Sequence, residues 1–308
     1  MENFWEKIDD GFLALAPMAG ISDSAFRQVC QSFGADLLYS EMASVDALFY
    51  SPKKTIDILY FEEKERPYIV QLFGTNPEYF EKAVKLLDKE LKPDAYDINF
   101  GCPVKKVIKQ GAGAALMANL KQSREIIKSV LASTNRPLSV KTRTQSSSVD
   151  LLSFVENIKD LDVSAIMIHG RTFKQGFSGE IDYQAIANIK KVFKGKIIAN
   201  GGIKTKEDAK KTLEKTKANG LGLARGVLGR PWLFEEIKNN KEIIKTKEEI
   251  FKIALKQAKL MYEIKGEIAI PELRKHLSWY MHGLDGASEL RLKAVSVRSF
   301  DDVENLLK

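Results

Sequence analysis

Cysteine is scarce in this chain, with Cys30 and Cys102 the only two among 308 residues. Two thiols cannot form a disulfide framework, so the sequence predicts a protein of a reducing compartment. Histidine is nearly as rare: His169, His276 and His282 show no ligand spacing, and no metal site is expected. No apolar run reaches the length of a membrane span, and the first ten residues are too polar and acidic for a secretory leader. A cytoplasmic protein with no membrane partner is therefore expected. No serine sits on a nucleophile elbow, which argues against a Ser-His-Asp hydrolase.

What is present is a composition of 44% hydrophobic and 29% charged residues, enough for one barrel-sized domain with an appendage. The net charge is +7 and the pI near 9.1, a balance that favours a polyanionic partner.

Short apolar or alternating runs recur at 12–18, 36–40, 67–73, 95–99, 138–141, 165–168, 196–199 and 221–223, with helical patterns between them. Asp23 or Ser22 can cap the first helix, and Phe80, Val84 and Leu87 make an apolar stripe on another. Eight strands alternating with helices predict an α/β fold, a (β/α)8 TIM barrel, over residues 1–240. A doubly wound open sheet is the alternative. From about Thr246 strand signals cease. Thr246 with Glu249 has the form of a capping box, Phe251, Leu255, Ala258 and Tyr262 form a stripe, and Pro271 opens a further helix with Leu273, Leu277 and Tyr280 inward. Ser299 with Asp302 can cap the last. Residues 246–308 are read as a small C-terminal all-helical domain, joined by the lysine-rich stretch 238–247.

The stretch Ala95 to Pro103 is the centre of the chain. Tyr96 and Ile98 alternate with Asp97 and Asn99 as in a strand, Gly101 permits backbone angles other residues resist, and Pro103 ends the ladder. Cys102 is thus delivered to an exposed turn, where it touches a ligand or merely packs. Cys30, beside Ala25, Phe26 and Val29, reads as core.

In such a barrel the site forms at the C-terminal strand ends. Those ends carry Pro17 and Met18, Glu41, Gln71, Asn99 and Cys102, Lys141 and Arg143, His169 and Arg171, Asn200, and Arg225. The turns Asn200-Gly201-Gly202 and Ala224-Arg225-Gly226 stand where a phosphate is commonly held on backbone N–H groups, and Arg225 can pair with it. The pattern points to a phosphate-bearing organic cofactor with a lysine and a histidine beside it and a thiol facing it. At its ordinary pKa the thiol is protonated at neutral pH, better placed to donate a proton than to attack.

These residues resemble the tRNA-dihydrouridine synthases, most closely the bacterial B-type branch. The resemblance is carried by Ala16-Pro17-Met18-Ala19-Gly20, Ser40-Glu41-Met42, Asp97-Ile98-Asn99-Phe100-Gly101-Cys102-Pro103, Lys141-Thr142-Arg143-Thr144, Ile168-His169-Gly170-Arg171-Thr172, Ala199-Asn200-Gly201, Gly229-Arg230-Pro231-Trp232 and Arg274-Lys275-His276. Gly202, Ala224 and Gln145 depart from that family's usual Asp, Gly and Gly. The resemblance implies an FMN-bearing barrel and a helical RNA-binding domain that reduce uridines in tRNA with NADPH. It implies that Pro17, Met18, Ala19, Gln71, Lys141, His169, Asn200, Gly201, Gly202, Ala224 and Arg225 hold FMN, and that Cys102 gives a proton to C5. Asn99 and Arg143 would lie near the uridine. Lys105, Lys106 and Arg171 around the mouth, with Arg274 and Lys275 in the tail, would grip the RNA, and Phe173 and Phe177 could stack bases. The competing readings are a barrel acting on a small molecule in the manner of dihydroorotate dehydrogenases, and an RNA-binding protein without catalysis.

Overall fold

In the computed structural model, which describes residues 3–308, parallel strands close into a barrel. They are β1 Phe12–Leu15, β2 Leu37–Tyr39, β3 Tyr68–Phe73, β4 Ala95–Asn99, β5 Leu138–Arg143, β6 Ala165–His169, β7 Lys196–Asn200 and β8 Gly220–Leu223. Each pairs with the next, and β8 returns to β1 from Phe12↔Gly220 to Leu15↔Leu223. The predicted barrel is therefore the observed one, and the open-sheet alternative is excluded. One more short strand, Ala43–Ser44, pairs with Leu72 and Phe73 beyond the end of β2.

Both faces of the strands are covered and carry mainly apolar side chains, with polar ones on the inner face toward the C-terminal ends. Leu13, Leu15, Val70, Ile98 and Val140 pack outward with the helices, while Phe12, Ala14, Ala95, Met167 and Ile198 fill the interior. The lower end is plugged by Trp5, on the short helix Phe4–Lys7, whose ring packs edge-on against Phe12. A Cβ at Gly220 would lie 2.5 Å from the Phe12 ring, so a residue without one makes room for that plug.

Helices Lys247–Lys265, Ala269–Tyr280, Ala287–Ser296 and Phe300–Leu306 form the C-terminal region around a core of their own. The boxes at Thr246/Glu249 and Ser299/Asp302 are both formed. The buried stripe of the first helix is rotated from the expected one. Phe251, Ala254, Ala258 and Met261 are buried and Leu255 and Tyr262 only partly so, because this helix faces helix Ser24–Ser32 as well as its own neighbours. Ala25 joins the C-terminal core, and Lys265 Nζ meets Asp23 Oδ2 at 2.7 Å while Asp23 caps its own helix through Phe26 N–H. Within that core Tyr280 Oη donates to Gln257 Oε1 at 2.8 Å, and Gln257 Nε2 donates to His276 Nδ1 at 2.9 Å. Burial pushes His276 down to about 4. Among the described residues no helix is long and apolar enough to cross a membrane.

Candidate active site

The C-terminal ends of the strands converge on a cavity of about 600 Å³. Parallel pairing brings this about: Gln71, Asn99, Lys141 and Asn200 are inward-facing residues near the ends of β3, β4, β5 and β7, and all four line the cavity. Pro17, Met18 and Ala19, after β1, form an apolar wall.

Cys102 lines the cavity too, 9% exposed, on the turn that leaves β4. Its backbone N–H and that of Gly101 both donate to Asn99 Oδ1, at 2.8 and 2.9 Å, so Asn99 folds the turn back on its own strand. Gly101 is favoured for a different reason from the one expected. Its backbone does not adopt a positive φ; a Cβ there would lie 3.3 Å from the Thr142 carbonyl carbon, so the demand is close approach to β5. Gly113, at φ +61°, brings the following loop back against Cys102, where Ala114 N–H donates to the Cys102 carbonyl. Burial pushes the thiol's pKa up, opposed by the Val104 N–H and the charges of Arg143 and Lys141, so the thiol is protonated at neutral pH.

Lys141 lies between these groups, with Nζ donating to Asn200 Oδ1 at 3.3 Å. Burial first, then the charge of Arg143, pushes it down to about 8. Arg143 itself is buried: Nε donates to the Gly101 carbonyl at 2.7 Å, and Nη1 to the Gly176 carbonyl at 2.9 Å and His169 Nδ1 at 3.2 Å. Since a guanidinium only donates, His169 Nδ1 carries the lone pair and Nε2 the proton. Burial, followed by the charges of Lys141, Arg143, Arg171 and Arg225, pushes His169 far down and keeps its ring neutral.

At the far end the turns after β7 and β8 meet. Gly201 has φ +106°, and a Cβ there would lie 2.8 Å from His169 Cδ2. Gly202 has φ +75°, and a Cβ at Gly226 would lie 2.1 Å from the Ile203 carbonyl oxygen. Ala224, Arg225, Arg171 and Lys204 complete this end, which is cationic. Arg225 lies over the Phe177 ring at 4.4 Å, and Phe177 lines the cavity on the loop after β6.

Lys105 and Lys106 do not line the cavity; they are exposed on helix Lys105–Lys109, immediately after the Cys102 turn. Arg274 and Lys275 are further away, on helix Ala269–Tyr280. Arg274 Nε donates to the Val297 carbonyl at 3.0 Å, and Lys275 Nζ donates to the carbonyl of Gly20, whose N–H binds the Glu41 carboxylate. Glu41 is thus occupied with the loop after β1 and does not line the cavity. Met42 and Lys204 line it without having been singled out. Met42 follows the expected strand end by one residue, and Lys204 reads in sequence as one more lysine on a lysine-rich surface.

The family model described as dihydrouridine synthase (Dus) matches residues 14–308. A probable tRNA-dihydrouridine synthase of Aquifex aeolicus is 34% identical over 287 residues, 91% of this chain and 90% of that protein. A tRNA-dihydrouridine synthase B of Vibrio cholerae is 33% identical over 300 residues, 95% of this chain and 91% of that protein. Among solved structures, an old yellow enzyme homologue from Zymomonas mobilis superposes with a TM-score of 0.51 at 14% identity, over 79% of this chain and 94% of that one. Histamine dehydrogenase from Rhizobium sp. 4-9 does so with a TM-score of 0.58 at 11% identity, over 80% of this chain and 48% of that one. At such identities the likeness is one of fold.

Proposed function

This chain is an enzyme of the dihydrouridine synthase family, and from that premise we propose that it reduces uridines in tRNA to 5,6-dihydrouridine, with FMN in the barrel mouth, NADPH as reductant and Cys102 as proton donor. The observation that carries this reading is one cavity holding a protonated thiol and a half-buried ammonium, bounded at its far end by two glycine-containing turns and a cluster of positive charge.

The residues fit FMN. Without side chains at Gly201 and Gly226 the turn after β7 packs against the His169 ring and the turn after β8 against the Ile203 carbonyl, which brings the two turns together at one end of the cavity, and Arg225 and Lys204 supply positive charge for an anion there. Gln71, Lys141 and Asn200 would face the flavin ring, His169 and the two turns its phosphate, and Pro17, Met18 and Ala19 its apolar side. When bound, FMN supplies the hydride that no side chain can provide. Lys141 holds a positive charge where the ring's pyrimidine end would lie and stabilises negative charge there. Cys102 holds a proton on Sγ for delivery to C5 of the uracil, completing addition across the C5=C6 bond. Arg143 fixes the Cys102 turn through Gly101, and its Nη2, without a protein partner among the described residues, is available to the base.

A uridine in folded RNA must leave its stack to enter a barrel mouth. Lys105, Lys106 and Arg171 stand beside that mouth and are suited to the RNA backbone. We assign residues 1–240 to catalysis and 246–308 to RNA binding, with Asn99 near the base and Lys275 and Arg274 on the RNA side. The test is incubation of unmodified tRNA with the protein, FMN and NADPH, followed by mass spectrometry of the nucleosides. Gain of two hydrogens on a uridine supports the reading; turnover of dihydroorotate with no change in the RNA overturns it.

A further inference from the structure

Below the cavity floor lies a carboxylate that touches neither solvent nor the cavity. Asp97 is fully buried, and the strands set Gln71, Asp97 and Ser139 opposite one another across β3, β4 and β5. Ser139 Oγ donates to Asp97 Oδ1 at 2.6 Å, and Gln71 Nε2 donates to Asp97 Oδ2 at 2.7 Å. With its amine end used there, Gln71 offers Oε1 to Asn99 Nδ2, at 2.9 Å. Asn99 is left with Oδ1, which takes the backbone N–H groups of Gly101 and Cys102.

A carboxamide has one donating and one accepting end, and two in series have only two self-consistent arrangements. Backbone N–H groups at one end of this series can only donate, and an ionised carboxylate at the other can only accept. Both ends demand the same arrangement, and neither amide can turn without leaving buried polar groups opposed. We propose that Asp97 is a positioning residue that, through Gln71 and Asn99, locks the turn carrying Cys102 at the cavity. The inference rests on Cys102 being the proton donor only for its catalytic consequence; the locking itself is independent of it. Asp97 has no contact through which to act on a substrate directly. Burial pushes its pKa up to about 6, opposed by Ser139, Gln71 and the charge of Lys141, which leaves it mostly ionised at neutral pH.

The test uses the holoenzyme and three measurements: hydrogen exchange of the Gly101 and Cys102 amides, alkylation of Cys102 by iodoacetamide, and reoxidation of prereduced flavin by tRNA. Cys30, fully buried, is silent to the reagent. Asp97→Ala is expected to speed exchange and alkylation roughly five- to tenfold, the weight of about one net hydrogen bond, and to slow reoxidation, while β6 amides are unchanged. Asp97→Asn is expected to stay close to wild type, since its amide can turn its donor to Ser139 Oγ and keep an acceptor for Gln71. Ser139→Ala alone is expected to do little. The two together, in a Tyr39→Phe background that removes the buried and unpartnered hydroxyl beside Asp97 and Ser139, leave that donor with no acceptor except at the expense of Gln71, so the double variant is expected to behave as Asp97→Ala does, which keeps the test open if the alanine variant fails to fold. A folded Asp97→Ala with wild-type exchange and alkylation overturns the proposal, as does strict additivity in the double variant. Faster exchange with unchanged reoxidation upholds the lock and instead removes Cys102 as donor.

Discussion

Lys141 Nζ donates to Asn200 Oδ1 at 3.3 Å, and Asn200 directs its Nδ2 to the Gly222 carbonyl at 2.6 Å, so the ammonium is held to β7 by an amide that cannot turn. The charge is therefore fixed in place, and it is also easily lost, since burial pushes Lys141 down to about 8. FMN affinity should fall as pH rises through this value. Lys141→Met should bind FMN weakly at every pH and show no such limb, which fluorescence titration of the flavin would read. For the flavin-free fold the sign is opposite. The folded state loses this proton at a lower pH than the unfolded chain, so Lys141 makes stability rise with pH between about 8 and 10.5.

Asp97 gives the complementary window. Its carboxyl is raised from the ordinary 3.8 to about 6, so between those values the folded state binds more protons, and stability falls as pH rises. A shift of this size corresponds to a net cost of ionisation on the order of 3 kcal/mol at neutral pH, burial outweighing Ser139, Gln71 and Lys141. Asp97→Asn should remove that part of the pH dependence in urea titrations run at pH 4 and pH 7.

Gly201→Ala should damage the cofactor site more than Gly202→Ala. Both need a positive φ, but the Cβ at 201 would meet the His169 ring at 2.8 Å, whereas at 202 it would meet only the aliphatic side chain of Ile181, Cγ1 at 3.0 Å and Cδ1 at 3.4 Å. Strain of this kind costs roughly 1–3 kcal/mol, a reduction in FMN affinity of about five- to 150-fold for Gly201→Ala. Arg225→Ala, which loses charge and no shape, should weaken FMN with little change in melting temperature.

Lys105 and Lys106 are exposed beside the Cys102 turn and outside the cavity. Replacing both with alanine should leave the flavin spectrum unchanged, weaken tRNA binding, and lower the slope of log affinity against log salt by roughly 1.4 to 1.8. An unchanged slope would place the phosphate contacts elsewhere.

The barrel was legible because buried strands write themselves as short apolar runs, and each of the eight expected runs became a strand. The candidate site was legible for a related reason: once strand ends are known, most residues there open on one mouth, Glu41 being the exception because the loop after β1 takes its carboxylate. What escaped was information carried by single residues without a period. Trp5 plugs the barrel from a polar stretch, where two adjacent aromatics, Phe4 and Trp5, give no pattern. Strand Ala43–Ser44 and the Gln145–Asp150 hairpin, whose two-residue strands pair Gln145 with Asp150, are too short to alternate. Helix Ala287–Ser296 buries only Ala294 among its ten residues, so it has no stripe to read. The role of Asp97 was hidden for another reason. A charged residue in an alternating strand reads as solvent-facing, and only closure of the barrel makes that face an interior.

The central claim is that Cys102 supplies the C5 proton. Anaerobic stopped-flow reoxidation of NADPH-reduced flavin by unmodified tRNA tests it in Cys102→Ala. Flavin binding, its reduction by NADPH and tRNA affinity should match wild type, and reoxidation should slow by roughly 10²- to 10⁴-fold, the loss expected for a positioned general acid. Cys102→Ser should recover little of this. Reoxidation of Cys102→Ala at the wild-type rate would contradict the account and leave the thiol a packing residue at the end of β4.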